Sequence, residues 1–185
     1  MLNYLKGNVT QINSDFITFE VNEIGYKVYT LSKDKYELLE NYKIFIYDHI
    51  NSDNVLDLYG FLSLDDLNFF RLLIKINGIG PKTAHNILKD YGALEIINFI
   101  REKDIVSLRK IPGIGSKANM LILNLRGKLD NFKFDILRYE NVYKALIHMN
   151  FNPLEIRDAL DNIKQNLSDE DALRAALIEI KNARK

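Results

Sequence analysis

A short glycine-containing motif occurs twice in this chain of 185 residues, and the two copies lie 35 positions apart. The first copy is Lys-Ile-Asn-Gly-Ile-Gly-Pro-Lys at residues 75–82, and the second is Lys-Ile-Pro-Gly-Ile-Gly-Ser-Lys at residues 110–117. Apolar residues recur at helical spacing around the copies, which predicts a helix, a tight turn and a second helix each time. The motif therefore predicts two helix-hairpin-helix units.

A Gly-x-Gly turn exposes main-chain N–H groups at the start of the helix that follows it, because glycine tolerates the sharp bend and the first helical turn lacks internal acceptors. Such groups bind anions, and Lys82 and Lys117 place a positive charge beside them. Pro81 suits the first position of a helix. A single Gly-x-Gly is also an ordinary helix end, but the repetition favours binding of a phosphodiester backbone without reading of bases.

Charge is unevenly distributed along the chain, although Lys and Arg balance Asp and Glu overall. Residues 71–128 contain 11 basic and 4 acidic residues, whereas residues 1–70 contain 5 basic and 11 acidic ones. The basic excess coincides with both hairpins. A local positive field of this kind is compatible with a nucleic-acid partner even when the net charge is zero.

Composition excludes several other classes of protein. The chain has no cysteine, which excludes disulfides and thiolate metal sites, and no apolar run near the roughly 20 residues that a membrane helix needs. The N-terminus does not resemble a signal peptide, so a cytoplasmic protein is expected. His49, His85 and His148 lie in different regions, where each is predicted to be a surface or helix residue. No metal, cofactor or catalytic residue is predicted.

Residues 1–62 are predicted to form strands, because short β-branched and aromatic runs alternate with turn residues. Such a series indicates a small barrel of the oligonucleotide-binding type, with a short helical stretch near residues 33–39. The predicted strands are Asn8–Ile12, Phe16–Val21, Tyr26–Leu31, Lys43–Ile50 and Val55–Tyr59.

Helices are predicted from Ser63 onward, where Ser63 and Asp66 form a capping box. An all-α region is predicted over 63–128 and a connector over 129–139. A three-helix unit follows over 140–185, with a second capping box at Ser168 and Asp171. Its predicted helices are Val142–Met149, Leu154–Ile163 and Ala172–Ile180.

The order of these parts resembles the RuvA family, the Holliday-junction-binding subunits of the bacterial branch-migration machinery. The resemblance covers essentially the whole chain and is most specific at residues 59–88 and 107–117, which include Tyr59-Gly60-Phe61 and both glycine motifs. It implies an α+β multidomain fold: an N-terminal OB-like β-barrel (1–62), a central all-α domain with two helix-hairpin-helix motifs (63–128), a linker (129–139) and a C-terminal three-helix UBA-like domain (140–185).

The resemblance also implies a function. Members bind four-way DNA junctions without sequence specificity, hold them open and square, and recruit the hexameric AAA+ motor RuvB for branch migration in recombination and repair. A homotetramer or octamer is expected, with the RuvC resolvase as a further candidate partner. ATP hydrolysis belongs to the motor, so the resemblance implies neither enzymatic activity nor a cofactor for this chain.

Site residues follow from the same resemblance. It implies an acidic pin at Asp53 and Asn54 that keeps intact duplex away from the crossover. The proposed motor-binding residues are Leu146, Met149, Phe151 and Leu173, for which packing in a helical core is the alternative. The proposed DNA-binding residues are Lys75, Asn77, Gly78, Ile79, Gly80, Lys82, Arg109, Lys110, Gly113, Ile114, Gly115, Ser116 and Lys117.

The sequence departs from the family pattern in three places. The pin normally carries two adjacent acids, whereas here Asn54 follows Asp53. In the second hairpin, Ser116, Asn119 and Leu121 replace a basic residue, an alanine and another basic residue. The connector is shorter than is typical, which restricts the reach of the tail.

Two other functions remain open from the residues alone. A helix-hairpin-helix nuclease or glycosylase needs a catalytic Asp or Lys close behind the hairpin, and no residue stands out for that role. The other alternative is an adaptor whose hairpins pack on protein rather than on DNA.

Overall fold

The structure is a computed structural model that describes residues 2–129, 139–163 and 167–183. Contacts divide the chain into two compact units, residues 1–89 and 90–185. The first unit contains the barrel and the first hairpin, and the second contains the second hairpin and the C-terminal helices. The predicted fold class is confirmed. The predicted boundaries at 62, 128 and 140 stay predictions, and residues 130–138 of the predicted connector lie outside the described residues.

The N-terminal part of the first unit is a closed five-stranded barrel with strand order β1-β2-β3-β5-β4. Neighbouring strands are antiparallel except for β3 and β5, which pair in parallel and close the barrel together with the β1–β4 pair. Alternate side chains such as Ile17 and Phe19 point inward and are fully buried. The strands are β1 Tyr4–Ile12, β2 Phe16–Val21, β3 Ile24–Thr30, β4 Asn41–Ile50 and β5 Leu56–Phe61.

Helix α1, Leu64–Leu73, carries the first hairpin and is fixed to the barrel by aromatic packing. Ser63 is the N-cap residue as predicted, but its hydroxyl accepts a hydrogen bond from the main-chain N–H of Asp65, at 3.1 Å, the residue before the predicted capping-box partner Asp66. The ring of Phe70 lies 5.0 Å from that of Phe61 and 5.6 Å from that of Tyr59. These contacts position the end of α1, where the first glycine motif begins.

Helix α2, Pro81–Glu102, crosses the boundary between the two units and is interrupted at Gly92, where φ is 73°. Within the second unit, the side chain of Arg157 packs against Gly92 at a distance that leaves little room for a β-carbon. The other helices of this unit are α3 Ile105–Lys110, α4 Ala118–Leu129, α5 Glu140–His148, α6 Pro153–Asp161 and α7 Asp169–Ala183, with a 3₁₀ turn at Gly115–Lys117.

The three C-terminal helices share one apolar core, in which Leu146, Ile156 and Ala176 are buried. The second predicted cap is confirmed, since the Ser168 hydroxyl accepts from the main-chain N–H of Asp171 at 3.2 Å. This core also includes Leu94 of α2. Within this unit, the tail helices therefore pack against the second half of α2.

Candidate nucleic-acid interface

The first glycine motif forms a compact hydrogen-bonded turn. The main-chain N–H of Ile76 donates to the carbonyl of Leu73 at 3.0 Å, and that of Ile79 donates to the carbonyl of Ile76 at 2.9 Å. Gly78 adopts a φ of 82°, a conformation that a side chain with a β-carbon disfavours. The first glycine of the motif is therefore required by the turn itself.

This turn leaves main-chain donors unused. Within the described residues, the N–H groups of Asn77, Gly78, Gly80 and Lys82 have no hydrogen-bond acceptor. All four residues are exposed, and open space surrounds the position of a β-carbon on Gly80. The N-terminus of α2 thus presents the group of donors that an anion such as a phosphate requires.

The second glycine motif repeats the same turn 35 residues later. Ile111 N–H donates to the carbonyl of Leu108 at 3.2 Å, and Ile114 N–H donates to the carbonyl of Ile111 at 3.1 Å. Gly113, the counterpart of Gly78, has a φ of 88°. The two copies of the motif therefore have the same local conformation up to the second glycine.

The copies diverge after the second glycine. Gly115 has a φ of 44°, and the chain passes through a 3₁₀ turn before α4 begins. The main-chain N–H of Lys117 is used in this turn, because it donates to the carbonyl of Ile114 at 2.8 Å. The ammonium of Lys117 also bonds to the carbonyl of Gly113 at 3.1 Å. Part of the donor set is therefore satisfied within the second hairpin itself.

The remaining predicted DNA-binding residues fall into two groups. The exposed group is Lys75, Arg109, Lys110 and Ser116. Ile79 and Ile114 are instead buried, with 2% and 1% of their surface exposed. Of the departures from the family pattern, Asn119 is exposed, whereas Leu121 is fully buried in α4. DNA contact by any of these residues stays a prediction.

The predicted pin residues lie at the tip of the hairpin between β4 and β5. The side-chain carbonyl of Asn51 accepts from the main-chain N–H groups of Asp53 at 2.9 Å and Val55 at 3.0 Å. Asn54 has a φ of 58°, which asparagine and aspartate tolerate better than most residues. Asp53 and Asn54 are both exposed. The loop is thus a firmly bonded projection that carries one negative charge at its tip.

A cavity of about 780 Å³ lies in the first unit beside this loop and the first hairpin. Its lining brings together residues that the sequence did not associate. They come from the barrel, the pin loop and the start of α2: Asp15, Tyr29, His49, Asn51, Ser52, Asp53, Asp57, Tyr59, Gly80, Pro81, Lys82, Thr83, His85, Asn86 and Lys89. Of this set, the sequence predicted only Asp53, Gly80 and Lys82 as site residues, although the spacing of Lys82, Asn86 and Lys89 indicates one helix face.

His85 is a buried titratable group of this cavity. It lies on α2 as predicted, but only 6% of its surface is exposed. Burial, with a smaller contribution from the charge of Lys89, lowers the pKa of His85 to about 4. The imidazole is therefore neutral at pH 7.

The four predicted motor-binding residues differ in accessibility. Leu146 is fully buried in the three-helix core, as the core-packing alternative requires, whereas Met149 is 52% exposed. Phe151 and Leu173 are partly buried against the same core. Motor binding by these residues stays a prediction.

Two protein-family models match regions that together make up most of the chain. Residues 1–60 match the RuvA N terminal domain, and residues 70–126 match the SAM-like helix-hairpin-helix tandem. A curated relative from Fusobacterium nucleatum, named Holliday junction branch migration complex subunit RuvA, is 37% identical over 190 residues, which cover 96% of each chain. The chain belongs to the RuvA family.

Other RuvA relatives match over almost the same length. The protein of the same name from Acholeplasma laidlawii is 37% identical over 182 residues, and that from Alkaliphilus oremlandii is 34% identical over 189 residues. Each alignment covers 96% of this chain and 97% of the relative. The likeness to RuvA therefore includes the tail helices, which lie beyond the two family matches.

Among residues 2–129, 139–163 and 167–183, no group of three or more His, Cys, Asp or Glu side chains is arranged to hold a metal ion. In the same ranges, none of the helices has the length and apolar character needed to cross a membrane.

Proposed function

We propose that this protein binds four-way DNA junctions without reading their sequence, through the main-chain amides and lysines of both hairpins. The observation that carries the proposal is the repeated turn, in which Gly78 and Gly113 have nearly the same φ and the flanking isoleucines make the same hydrogen bonds. Two hairpin turns of the same local conformation fit a structure with several sugar-phosphate strands. Contacts to phosphate carry no base information, so binding is independent of sequence.

We further propose that the protein is the non-enzymatic DNA-binding subunit of a larger assembly. Its relatives are named as subunits of a branch migration complex. On this proposal the chain forms a homotetramer or octamer and recruits the RuvB motor, which hydrolyses ATP, with RuvC as a further partner. A cytoplasmic location belongs to the same proposal.

The tail is the proposed motor-binding part of the chain. Met149 supports this role because its apolar side chain is half exposed at the end of α5. Phe151 and Leu173 are accessible in part, whereas Leu146 would support the surface from within the core. A Met149→Glu change is therefore the sharpest test of a tail contact with the motor.

A gel-shift series with four-way, Y-shaped and linear duplex DNA of matched length tests the main proposal. We expect preferential binding of the four-way DNA, which stays uncut after incubation with Mg²⁺. Equal affinity for all three forms would contradict the junction proposal, and cleavage would favour the nuclease alternative. Failure to bind any DNA at low salt would favour the adaptor.

A pair of lysine variants, tested in the same gel-shift series, shows whether DNA binding depends on the first hairpin. Lys82→Ala is expected to weaken binding to all three DNA forms, because phosphate contacts dominate affinity. Lys33→Ala, at an exposed position of the barrel region, is the matched control and should bind as the wild type does. Light scattering with and without the four-way DNA then gives the number of subunits in the complex.

A further inference from the structure

The cavity of the first unit has walls of different chemistry. On the α2 side it is lined by Gly80, Pro81 and Lys82, the part of the first hairpin that carries unused main-chain donors. Asp53 and Asp57, from the pin loop and the strand after it, also line the cavity. An anionic group in this cavity is therefore attracted to Lys82 and the unused main-chain donors and repelled by the two carboxylates.

Of the two lysines that line the cavity, Lys82 is the one available to a ligand. The ammonium of Lys89 is 3.0 Å from a carboxylate oxygen of Asp15, so its charge is compensated. Lys82 is exposed, and within the described residues its ammonium has neither a hydrogen bond nor an ion pair. A phosphate in the cavity consequently finds both a free cation and free amides at a single place.

Aromatic side chains form the remaining walls. The rings of Tyr29 and Tyr59 are stacked with centroids 5.5 Å apart, and the His85 ring lies 5.3 Å from that of Tyr59. His49 lines the cavity from β4 and lies nearly parallel to the ring of Tyr47. Tyr29 and His49 are each partly exposed. The ammonium of Lys27 lies 4.9 Å from the Tyr29 ring, so a planar group packs against Tyr29 when this flexible side chain moves aside.

His85 provides an independent sign that the cavity takes a polar ligand. Its Nε2 atom is buried and has no hydrogen-bond partner among the described residues. Buried polar atoms are nearly always paired, and an unpaired one calls for an explanation. A neutral imidazole offers either a donor or an acceptor to a ligand that reaches it.

We propose that this cavity binds one unpaired nucleotide of single-stranded DNA. The phosphate lies at Gly80 and Lys82, and the base packs against the aromatic walls that include Tyr29 and His49. The volume of about 780 Å³ is within the range of small-molecule sites and accommodates a nucleotide. A base inside a duplex cannot enter, because both its faces are covered by stacking. The inference rests on the proposed phosphate binding by the first hairpin.

The test compares two single-stranded probes that carry the same number of phosphates. One is a fluorescein-labelled oligothymidylate, and the other is an oligomer of equal length with abasic sites. Since both have the same charge, the ratio of their affinities isolates the contribution of the bases. Base stacking on aromatic side chains predicts that the wild-type protein prefers oligothymidylate by about fivefold in fluorescence anisotropy titrations.

Two variants with matched controls locate the preference. His49→Ala is expected to reduce the ratio toward one, whereas His148→Ala, at an exposed position of the tail, should leave it unchanged. Tyr29→Leu is likewise expected to reduce the ratio. Its control is Tyr4→Leu, since Tyr4 is an outward-facing barrel tyrosine that also lies beneath a lysine, at 4.5 Å. Tyr29→Phe keeps the ring and should keep the preference.

Each result decides the inference. A wild-type ratio near one overturns it without any variant, so a variant that does not fold leaves the test intact. A ratio that stays near five in both His49→Ala and Tyr29→Leu also overturns it, because the bases then bind elsewhere. Neither result affects the proposed function, which is judged by the preference for four-way over linear duplex DNA.

Discussion

The two hairpins begin alike and end differently. In both, two isoleucine amides close the turn and the first glycine has a φ above 80°. In the first, Pro81 starts a helix directly after Gly80. In the second, Ser116 follows a Gly115 whose φ is 44°, and a 3₁₀ turn precedes the helix. The residue after the second glycine is thus where two nearly identical sequences separate.

Pro81 explains why a helix starts directly after the second glycine in the first hairpin but not in the second. Its fixed φ suits the first position of a helix, and it disfavours helical conformation at the residue before it. The first hairpin therefore presents the free N–H groups of Gly80 and Lys82, whereas the N–H and the ammonium of Lys117 are both bonded within the second hairpin. The two repeated motifs are therefore not equal anion-binding sites. We predict that the first hairpin binds anions more strongly than the second.

The largest expected effect is on stability at acidic pH and concerns His85, whose counterpart 35 residues later is Met120. The pKa of His85 is about 4 in the folded protein and about 6.5 when unfolded, so its neutral form is favoured by folding. Its contribution is present above pH 6.5 and is lost as the pH falls toward 4. Between pH 7 and pH 5 this amounts to about 2 kcal/mol of unfolding free energy.

Urea unfolding at pH 7 and pH 5 measures this loss as the difference between the wild type and His85→Met, the variant that copies the second hairpin. Burial raises the pKa of Glu95 to about 7, which changes stability in the opposite direction over this range in both proteins. The wild type should therefore lose about 2 kcal/mol more unfolding free energy than His85→Met between pH 7 and pH 5. His148→Met, at an exposed position, is the control and should behave as the wild type does. An equal loss in wild type and His85→Met would show that His85 is not the titrating group.

The second glycine of each motif gives the next largest effect. Gly115→Ala is expected to cost about 1 kcal/mol of unfolding free energy, because its φ of 44° is strained for a residue with a β-carbon. Gly80→Ala should be nearly neutral, since its φ is not positive and no atom lies within 4 Å of the added carbon. Thermal unfolding of both variants checks this. Equal losses of unfolding free energy in the two variants would mean that the second glycine is equally constrained in both hairpins.

The DNA affinities of variants at Lys82 and Lys117 test whether the first hairpin is the stronger anion site. Lys82→Ala is expected to weaken binding to four-way DNA about fivefold and to lower the slope of log affinity against log salt by about one. Lys117→Ala should have a smaller effect, because its ammonium is already bonded to the carbonyl of Gly113. Titrations at several salt concentrations give both quantities. A larger slope change for Lys117→Ala would reverse the proposed ranking.

A gain-of-function variant strengthens the weaker hairpin. Ser116→Lys adds an exposed positive charge beside the free amides of the second turn and is expected to tighten DNA binding about threefold. Asn124→Lys, at an exposed position in the middle of α4, is the matched control. Similar gains from both lysines would indicate a general charge effect and no role for the turn.

The smallest effect concerns the pin loop, which lines the same cavity as the first hairpin. Asn54→Asp restores a second acid, and aspartate tolerates the positive φ of this position. We expect about twofold weaker binding to linear duplex through repulsion of phosphate, and less change for four-way DNA. Asn22→Asp, another exposed turn position with positive φ in the barrel, is the matched control. An unchanged duplex affinity would remove the repulsive role of the pin.

Local sequence rules predicted much of the architecture. All five predicted strands lie largely within observed ones, and both Ser63 and Ser168 cap helices as expected. The three tail helices also form at the predicted places. These features succeed because strand periodicity, capping and turns depend on residues close together in the chain.

Accessibility was harder to predict, because it depends on residues far apart in sequence. Leu146 has the apolar character of an interaction residue, yet it is fully buried in the tail core. In sequence, His85 is typical of an exposed helix residue, but in the folded protein its ring packs against the barrel tyrosines. The cavity was missed for the same reason, since it is formed by the barrel, the pin loop and α2 together.

Two glycine turns, the starts of the helices after them and the lysines beside them are all predictable from the residues, because a positive φ and a free helix N-terminus are local properties. Which donors remain unused depends on the folded structure: Lys117 bonds back to Gly113, whereas Lys82 has no such bond and lines the cavity. The physical reason is that hydrogen bonding and burial depend on how the chain folds back on itself, and two similar segments meet different neighbours.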